Sequence, residues 1–292
     1  MKKRIASFVQ LGLGALVIIG AIFAVSIYSK PQADGALLVS FLDVGQGDAA
    51  YIETPSGEDI LIDGGPDNSV LAELGKVMDF SDHEINLVIL SHPHADHLSG
   101  LVEVLRRYKV DEIYETGIAY PSATYDEFEK EIAAKKIPEK FVKIDDEKNF
   151  GEVKFKVLYP LSDLKNKKVD NLNNSSIVVR LDYKNFSTLF PGDAELDEQN
   201  KILSDDKILP VTVVKIPHHG SQNGTVEKFL KVVRPAIAVI SVGKDNKFGH
   251  PHATTLSLLK KMAIRYYRTD QDGRVEIKSF GEGYAVQTFP NE

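Results

Sequence analysis

Residues 91–100 read "SHPHADHLSG", which puts His92, His94, Asp96 and His97 within six positions. The chain of 292 residues has only eight histidines, so this concentration calls for a chemical reason. Imidazole nitrogen and carboxylate oxygen are the donors that zinc and similar divalent ions take. With this spacing His92 and His94 can reach one point, and Asp96 and His97 another. A single histidine here would be read as a surface or capping residue; four potential ligands in one run argue for metal. There is no cysteine, which removes disulfides, thiolate ligands and a cysteine nucleophile. Any ion must therefore be held by nitrogen and oxygen.

The elements around the run explain how it would be positioned. "INLVILSH" (85–92) is apolar enough for a buried strand, and "LSGLVEVLRRY" (98–108) has helical spacing. A strand running into a helix is a common address for sites in layered α/β proteins. Other polar residues sit at further strand ends. Asp43 follows "ALLVSFL" (36–42), Asp63 lies in "DILIDGG" (59–65), and Asp193 follows "STLFPG". His218 and His219 end "VTVVKIPHHG" (211–220), and His250 and His252 follow "AIAVISVG" (236–243). Only His83 stands apart, and it reads as a surface residue. "SSIVVRLDY" and "STLFPGD" form a hairpin of buried strands, "SVLAELGKVM" and "ATTLSLLKKM" are helices, and "VEIKSF" and "YAVQTF" are closing strands. The stretch 110–150 mixes helix and short strands. Strands and helices alternate without a second linker, so residues 33–292 are expected to form one α/β domain.

The first 32 residues are different. Lys2, Lys3 and Arg4 precede a stretch from Phe8 to Tyr28 with no charge and one amide, Gln10. A bilayer-spanning helix needs roughly 20 apolar residues, whereas the apolar part of a cleaved signal is only about 7–15. The expectation is one uncleaved transmembrane helix over 1–32, with a cleaved, secreted form as the alternative. The positive end stays in the cytoplasm, so the domain would face outward. Without this segment 31 basic and 42 acidic residues remain, a balance of −11. Such a surface is poor for duplex nucleic acid in general.

Six motifs in order carry a family resemblance. "SHPHADHLSG" resembles the H-x-H-x-D-H motif of the metallo-β-lactamase fold superfamily. "FLDVGQGDAAYIE", "ILIDGG", "NNSSIVVRL", "LFPGDAE", "KIPHHGSQN" and "SVGKDNKFGHPH" resemble, in that order, the hydrolase domain of the ComEC/Rec2 competence family. The resemblance covers about residues 36–270. It implies an αββα sandwich with two divalent ions, zinc or manganese, at one edge. It further implies His92 and His94 on the first ion, Asp96 and His97 on the second, and Asp193 bridging. His218 is the remaining implied ligand, with His219 beside it and the choice between them open. Asp63 would orient ligand histidines, and Asp43 with Gly45 to Asp48 would shape the floor. There is one departure. The broader superfamily has a further metal histidine before the bridging aspartate, and residues 98–217 contain none. Asn173, Asn174 and Ser176 stand there, so water or His250 would complete the first site.

Two such ions activate a shared water and neutralise charge growing on a phosphoryl oxygen. Asp96, His219 and His250 are the expected catalytic groups, either histidine serving to protonate the leaving group or hold a phosphate oxygen. Ser221 of "HHGS" is better read as a turn residue than as a nucleophile. The resulting expectation is an extracytoplasmic phosphodiesterase or nuclease related to DNA uptake, acting on a phosphodiester such as single-stranded DNA. Three alternatives accompany it: a non-catalytic metal-binding accessory of an uptake machine, a β-lactamase, and a phosphorylcholine-esterase-type hydrolase.

Overall fold

Two β-sheets face each other across an apolar layer, and helices cover both outer faces. The computed structural model describes residues 35–203 and 210–291. In the first sheet lie β1 (Leu37–Phe41), β2 (Ala50–Glu53), β3 (Asp59–Ile62), β5 (Leu87–Ile89), β7 (Ile113–Glu115), β8 (Glu139–Phe141), β16 (Arg274–Ser279) and β17 (Ala285–Phe289). Their order is β17-β16-β1-β2-β3-β5-β7-β8. The second sheet contains β9 (Glu147–Phe150), β10 (Val153–Tyr159), β11 (Val178–Tyr183), β12 (Phe186–Phe190), β13 (Val213–Lys215), β14 (Ile237–Ile240) and β15 (Arg265–Arg268). It runs β15-β14-β13-β12-β11-β10-β9. A small parallel pair, β4 (Glu84–Ile85) with β6 (Lys109–Val110), sits apart.

The three-layer packing follows from which strand faces are apolar. Val39, Phe41, Ile52, Ile89, Phe155, Leu181, Val213 and Val239 meet between the sheets. Helices α1 (Ser69–Val77), α2 (Ala95–Arg107) and α3 (Ala123–Lys135) press Leu74, Leu101, Leu105, Phe128 and Ile132 onto the other face of the first sheet. Helices α4 (Leu196–Leu203), α5 (Glu227–Val233) and α6 (Ala253–Lys261) do the same on the second sheet through Ile202, Phe229 and Leu259. A short α7 (Thr269–Asp272) joins β15 to β16. Strands buried on both faces read as continuous apolar runs rather than alternating ones, as β3 and β14 do. The αββα architecture expected from the resemblance is therefore present, and its compact unit begins at Gly35.

Some expected boundaries move. The strand expected over 85–92 is broken at Asn86, whose side chain accepts from the Asp59 backbone and donates to Asp111. Helix α2 begins three residues earlier than its apolar periodicity indicates. Its first turn carries Asp96, where a negative charge favours the helix N-terminus, so Asp96 and His97 are helical rather than in a loop. The strand expected over 211–220 shortens to Val213–Lys215, after which the backbone turns sharply at His218 and His219, both with positive φ. The apolar stretch 8–28 lies outside the described residues. Among the described residues no helix is long and apolar enough to cross a membrane.

Candidate metal centre

The site lies where strand C-terminal ends of both sheets meet. Strands β3 and β5 are parallel, as are β12, β13 and β14, so their ends deliver Asp63, His92, Asp193, His219 and Ser241 to one region. The loops after β1 and β3 close against the start of α2: Asp48 N donates to Asp96 O at 3.1 Å, and Gly64 N to His97 O at 2.7 Å. Gly47 permits this approach, because a Cβ there would collide with the Asp96 carbonyl oxygen.

His97 is the centre of the arrangement and is fully buried. Its Nδ1 donates to Asp63 Oδ2 at 2.8 Å, and its Nε2 faces Asp193 Oδ2 at 3.3 Å. Asp63 is itself fixed by Ser91, whose backbone N and Oγ both donate to it at 2.7 Å. His219 is built in the same way. Its Nδ1 donates to the Ser241 carbonyl at 3.0 Å and lies 3.3 Å from Asp48 Oδ1. Its Nε2 faces Asp96 Oδ2 at 3.3 Å and Asp193 Oδ2 at 3.6 Å. In each imidazole an anchored Nδ1–H turns Nε2 inward, the arrangement that orients a histidine for a metal ion. His92 Nε2 and His94 Nδ1 lie 3.0 Å apart, and the His92 and His97 ring centroids are 4.2 Å apart.

Donor atoms within 4.8 Å of one another are offered by His92, His97 and Asp193, by Asp96, His97 and His219, and by Asp48, Asp193 and His219. The chemistry of these sets fits divalent ions. The decisive detail is that His97 Nε2 and His219 Nε2 are buried without a hydrogen-bond partner. Buried polar atoms are rarely left so, and both of these are aimed at Asp193.

Asp193 is held from two sides. Its backbone N donates to Ser176 Oγ at 3.1 Å, and its Oδ1 lies 3.3 Å from Lys215 Nζ. Lys215 is buried, donates to Gly192 O at 3.0 Å and pairs with Asp48. Burial opposes the Lys215 charge, but Asp48 and Asp193 outweigh it and raise its affinity for the proton. Burial likewise opposes charge on His97, yet Asp193 and Asp63 hold it well above the usual histidine range. His219 is pushed up to about 9 against its burial by Asp193 and Asp48. His92 moves the other way: burial and the neighbouring His97 depress it well below its ordinary value. The converging carboxylates thus demand positive charge. Protons on His97 and His219 supply part of it, and a divalent ion would displace them.

The remaining expected residues divide. Asn173 donates to Glu195 Oε1 at 2.9 Å and lies 3.3 Å from His218 Nδ1. His218 is about a quarter exposed and its Nδ1 is 3.2 Å from Glu195 Oε1. Its Nε2 stays 3.9 Å from Asp193, and it joins none of the donor sets, whereas His219 joins two. The geometry therefore favours His219 over His218 as the inner residue. His219 has its Nδ1 committed to Ser241 O, while its Nε2 is buried and turned to the carboxylates. His250 does not reach His92 or His94; its ring stands 5.6 Å from His218 and 6.2 Å from His219. Burial, then His219 and His218, push it down to about 4, so near neutral pH it is an uncharged imidazole rather than an acid. Asp43 joins none of the donor sets; its carboxylate accepts from Gly45 N and Asn291 Nδ2. His252 caps α6, accepting from Thr254 N. Ser221 is a turn residue whose N donates to His218 O, and His83 is exposed beside Tyr108. Lys215 and Glu195 were missed by motif reading; the signal for Lys215 was a lone charge inside the apolar run "VTVVKIP".

Comparison with known proteins agrees with this architecture. The family model described as the Metallo-beta-lactamase superfamily matches residues 42–244. The chain is 28% identical over 293 residues to ComE operon protein 3 of Bacillus subtilis, covering 91% of this chain and 36% of that protein. It is 27% identical over 292 residues to Recombination protein 2 of Haemophilus influenzae, covering 98% and 34%. It thus spans about a third of the length of these relatives. Among solved structures, the metallo-beta-lactamase fold protein YhfI from Bacillus subtilis matches with a TM-score of 0.52 at 12% identity, covering 80% of this chain and 96% of that one, which bears on the fold alone.

Proposed function

This chain belongs to the metallo-β-lactamase superfamily, and from that premise we propose that it is a metal-dependent phosphodiesterase acting on single-stranded nucleic acid outside the cytoplasm. The observation that carries the hydrolytic reading is the pair of unpartnered nitrogens, His97 Nε2 and His219 Nε2, converging on Asp193. Asp96, His97, His219 and Asp193 would hold one divalent ion, and His92, His94 and Asp193 a second. When bound, such a pair activates water and neutralises charge growing on a phosphoryl group. The chain's own residues do the rest. Asp63 and the Ser241 carbonyl orient imidazoles, Ser176 and Lys215 hold Asp193, and His218 with His250 stands at the rim, within reach of a leaving group or a phosphate oxygen.

The substrate reading rests on two supports. Relatives carry the names Recombination protein 2 and Competence protein ComA, which supports a nucleic-acid substrate. At the rim, Phe248 is 57% exposed and its ring lies 5.8 Å from His250 at a 24° tilt, in one loop with exposed Lys244 and Lys247. An exposed ring can stack a base, worth about 1–3 kcal/mol. Stacking of this kind favours single strands over duplex. With a balance of −11 beyond the first 32 residues, few phosphates would be neutralised by lysine or arginine, so a shallow salt dependence is expected. The test is a panel on the metal-loaded full chain: single-stranded DNA, duplex DNA, bis(p-nitrophenyl) phosphate, a phosphorylcholine ester and a β-lactam. Turnover of the first and third, with a weak salt slope, is expected. Hydrolysis of the β-lactam alone would overturn the proposal. Stoichiometric metal without any turnover would favour the accessory-protein reading instead.

The location is part of the same proposal. Lys2, Lys3 and Arg4 before the uncharged stretch 8–28 support an anchor with the domain outside. Protease added to intact cells should then degrade the domain. A domain that survives until the cells are lysed would reverse the orientation.

A further inference from the structure

Three glutamates away from the histidine centre meet on one face of the first sheet. Glu115 ends β7 and is only 2% exposed. Glu139 opens β8, two register positions away: Ile113 pairs with Glu139, and Glu115 with Phe141. Side chains two apart share a sheet face, so Glu115 and Glu139 point the same way, under α3. That helix supplies Glu129 and, one turn earlier, Tyr125, whose hydroxyl donates to Glu115 Oε2 at 2.8 Å.

One carboxylate oxygen from each glutamate lies within 4.8 Å of the others. Oε1 of Glu115, of Glu129 and of Glu139 is in each case buried without a hydrogen-bond partner. Among the described residues no lysine, arginine or histidine forms an ion pair with any of the three. The nearby Lys165 places its ammonium over the Phe141 ring, 3.8 Å from the centroid. Burial, then Glu129 and Glu139, hold the Glu115 carboxyl well above the usual carboxylate range. Three acids facing one another with no ion-paired partner, and only the more distant Lys165 offsetting Glu129, are costly to bring together unless a cation or shared protons sit between them.

We propose that Glu115, Glu129 and Glu139 bind a hard divalent cation, of which calcium is the representative, and that this ion ties α3 to the β7–β8 edge. An oxygen-only donor set with up to three negative charges suits calcium or magnesium, which take carboxylates and water. It contrasts with the histidine centre, whose imidazoles suit zinc. The two sites can therefore be probed separately.

The experiment uses the full chain with its histidine centre saturated with zinc. Calcium is titrated while bound ⁴⁵Ca and the melting temperature are followed, in the native protein and in Glu129→Gln, Glu139→Gln and Asp193→Ala. Glu129 and Glu139 are only partly buried, so glutamine should fold there, with far-UV circular dichroism as the check. The native protein should bind about one calcium and melt at higher temperature with it, as a ligand of the folded state must cause. Each glutamine variant should bind at least about tenfold more weakly, since affinity follows the ligand charge count. Asp193→Ala should keep the response, which separates this site from the histidine centre. Absence of calcium binding, or equal binding by Glu129→Gln, would overturn the proposal. So would a Glu129→Gln protein that, without calcium, is more stable than a native protein unresponsive to calcium; that result would mean that the three acids share protons instead.

Discussion

Asp193→Ala is expected to remove most of the bound metal and to lower turnover of a model phosphodiester by about a thousandfold or more, the scale of losing charge stabilisation at a reacting phosphoryl group. Asp193 Oδ2 faces both His97 Nε2 and His219 Nε2, and its charge is the strongest acting on each imidazole. Removing it takes from His97 and His219 the largest of the charges that offset their burial, leaving Asp63 and Asp48 respectively. The fold should survive, because Lys215 keeps Asp48 as partner and Gly192 O as acceptor. Metal content by plasma mass spectrometry should fall from about two ions per chain to below one, with an unchanged circular dichroism spectrum. A variant retaining full metal content would show that the ions sit elsewhere.

His219→Ala and His218→Ala are expected to differ, although the residues are neighbours. His219 is buried, with Nδ1 tied to Ser241 O and Nε2 turned to Asp96 and Asp193. Its loss should release one ion and cost activity on the scale of Asp193→Ala. His218 is about a quarter exposed and leans on Glu195 and Asn173. Its replacement should leave metal content intact and lower kcat by about a hundredfold, as loss of a general acid does. In the His218→Ala protein KM should change little. If His218→Ala lost the metal and His219→Ala kept it, the inner and outer assignments would be exchanged.

Much of this protein was legible along the chain. A buried strand must be apolar, so a run such as "INLVIL" ending in histidines marks both the strand and the place where the chain leaves the core. Local patterns of that kind, with the six ordered motifs, were enough for the αββα sandwich and to single out His92, His94, Asp96, His97, Asp193 and Asp63, which the structure brings to one region. What they could not carry was anything fixed by a partner distant in sequence. His218 and His219 are equivalent by spacing, and only the positive-φ turn after β13 sends one inward and leaves the other at the rim. Asp43 looked like Asp63, an acid at the end of an early strand, yet its partner is Asn291 at the far end of the chain. Lys215 was hidden in an apolar strand because its charge is answered by Asp48 and Asp193, which precede it by 167 and 22 positions. Periodicity reports which face of an element avoids water. Which polar group then meets which across the interior depends on the pairing of strands from two sheets, a long-range choice that no local pattern encodes.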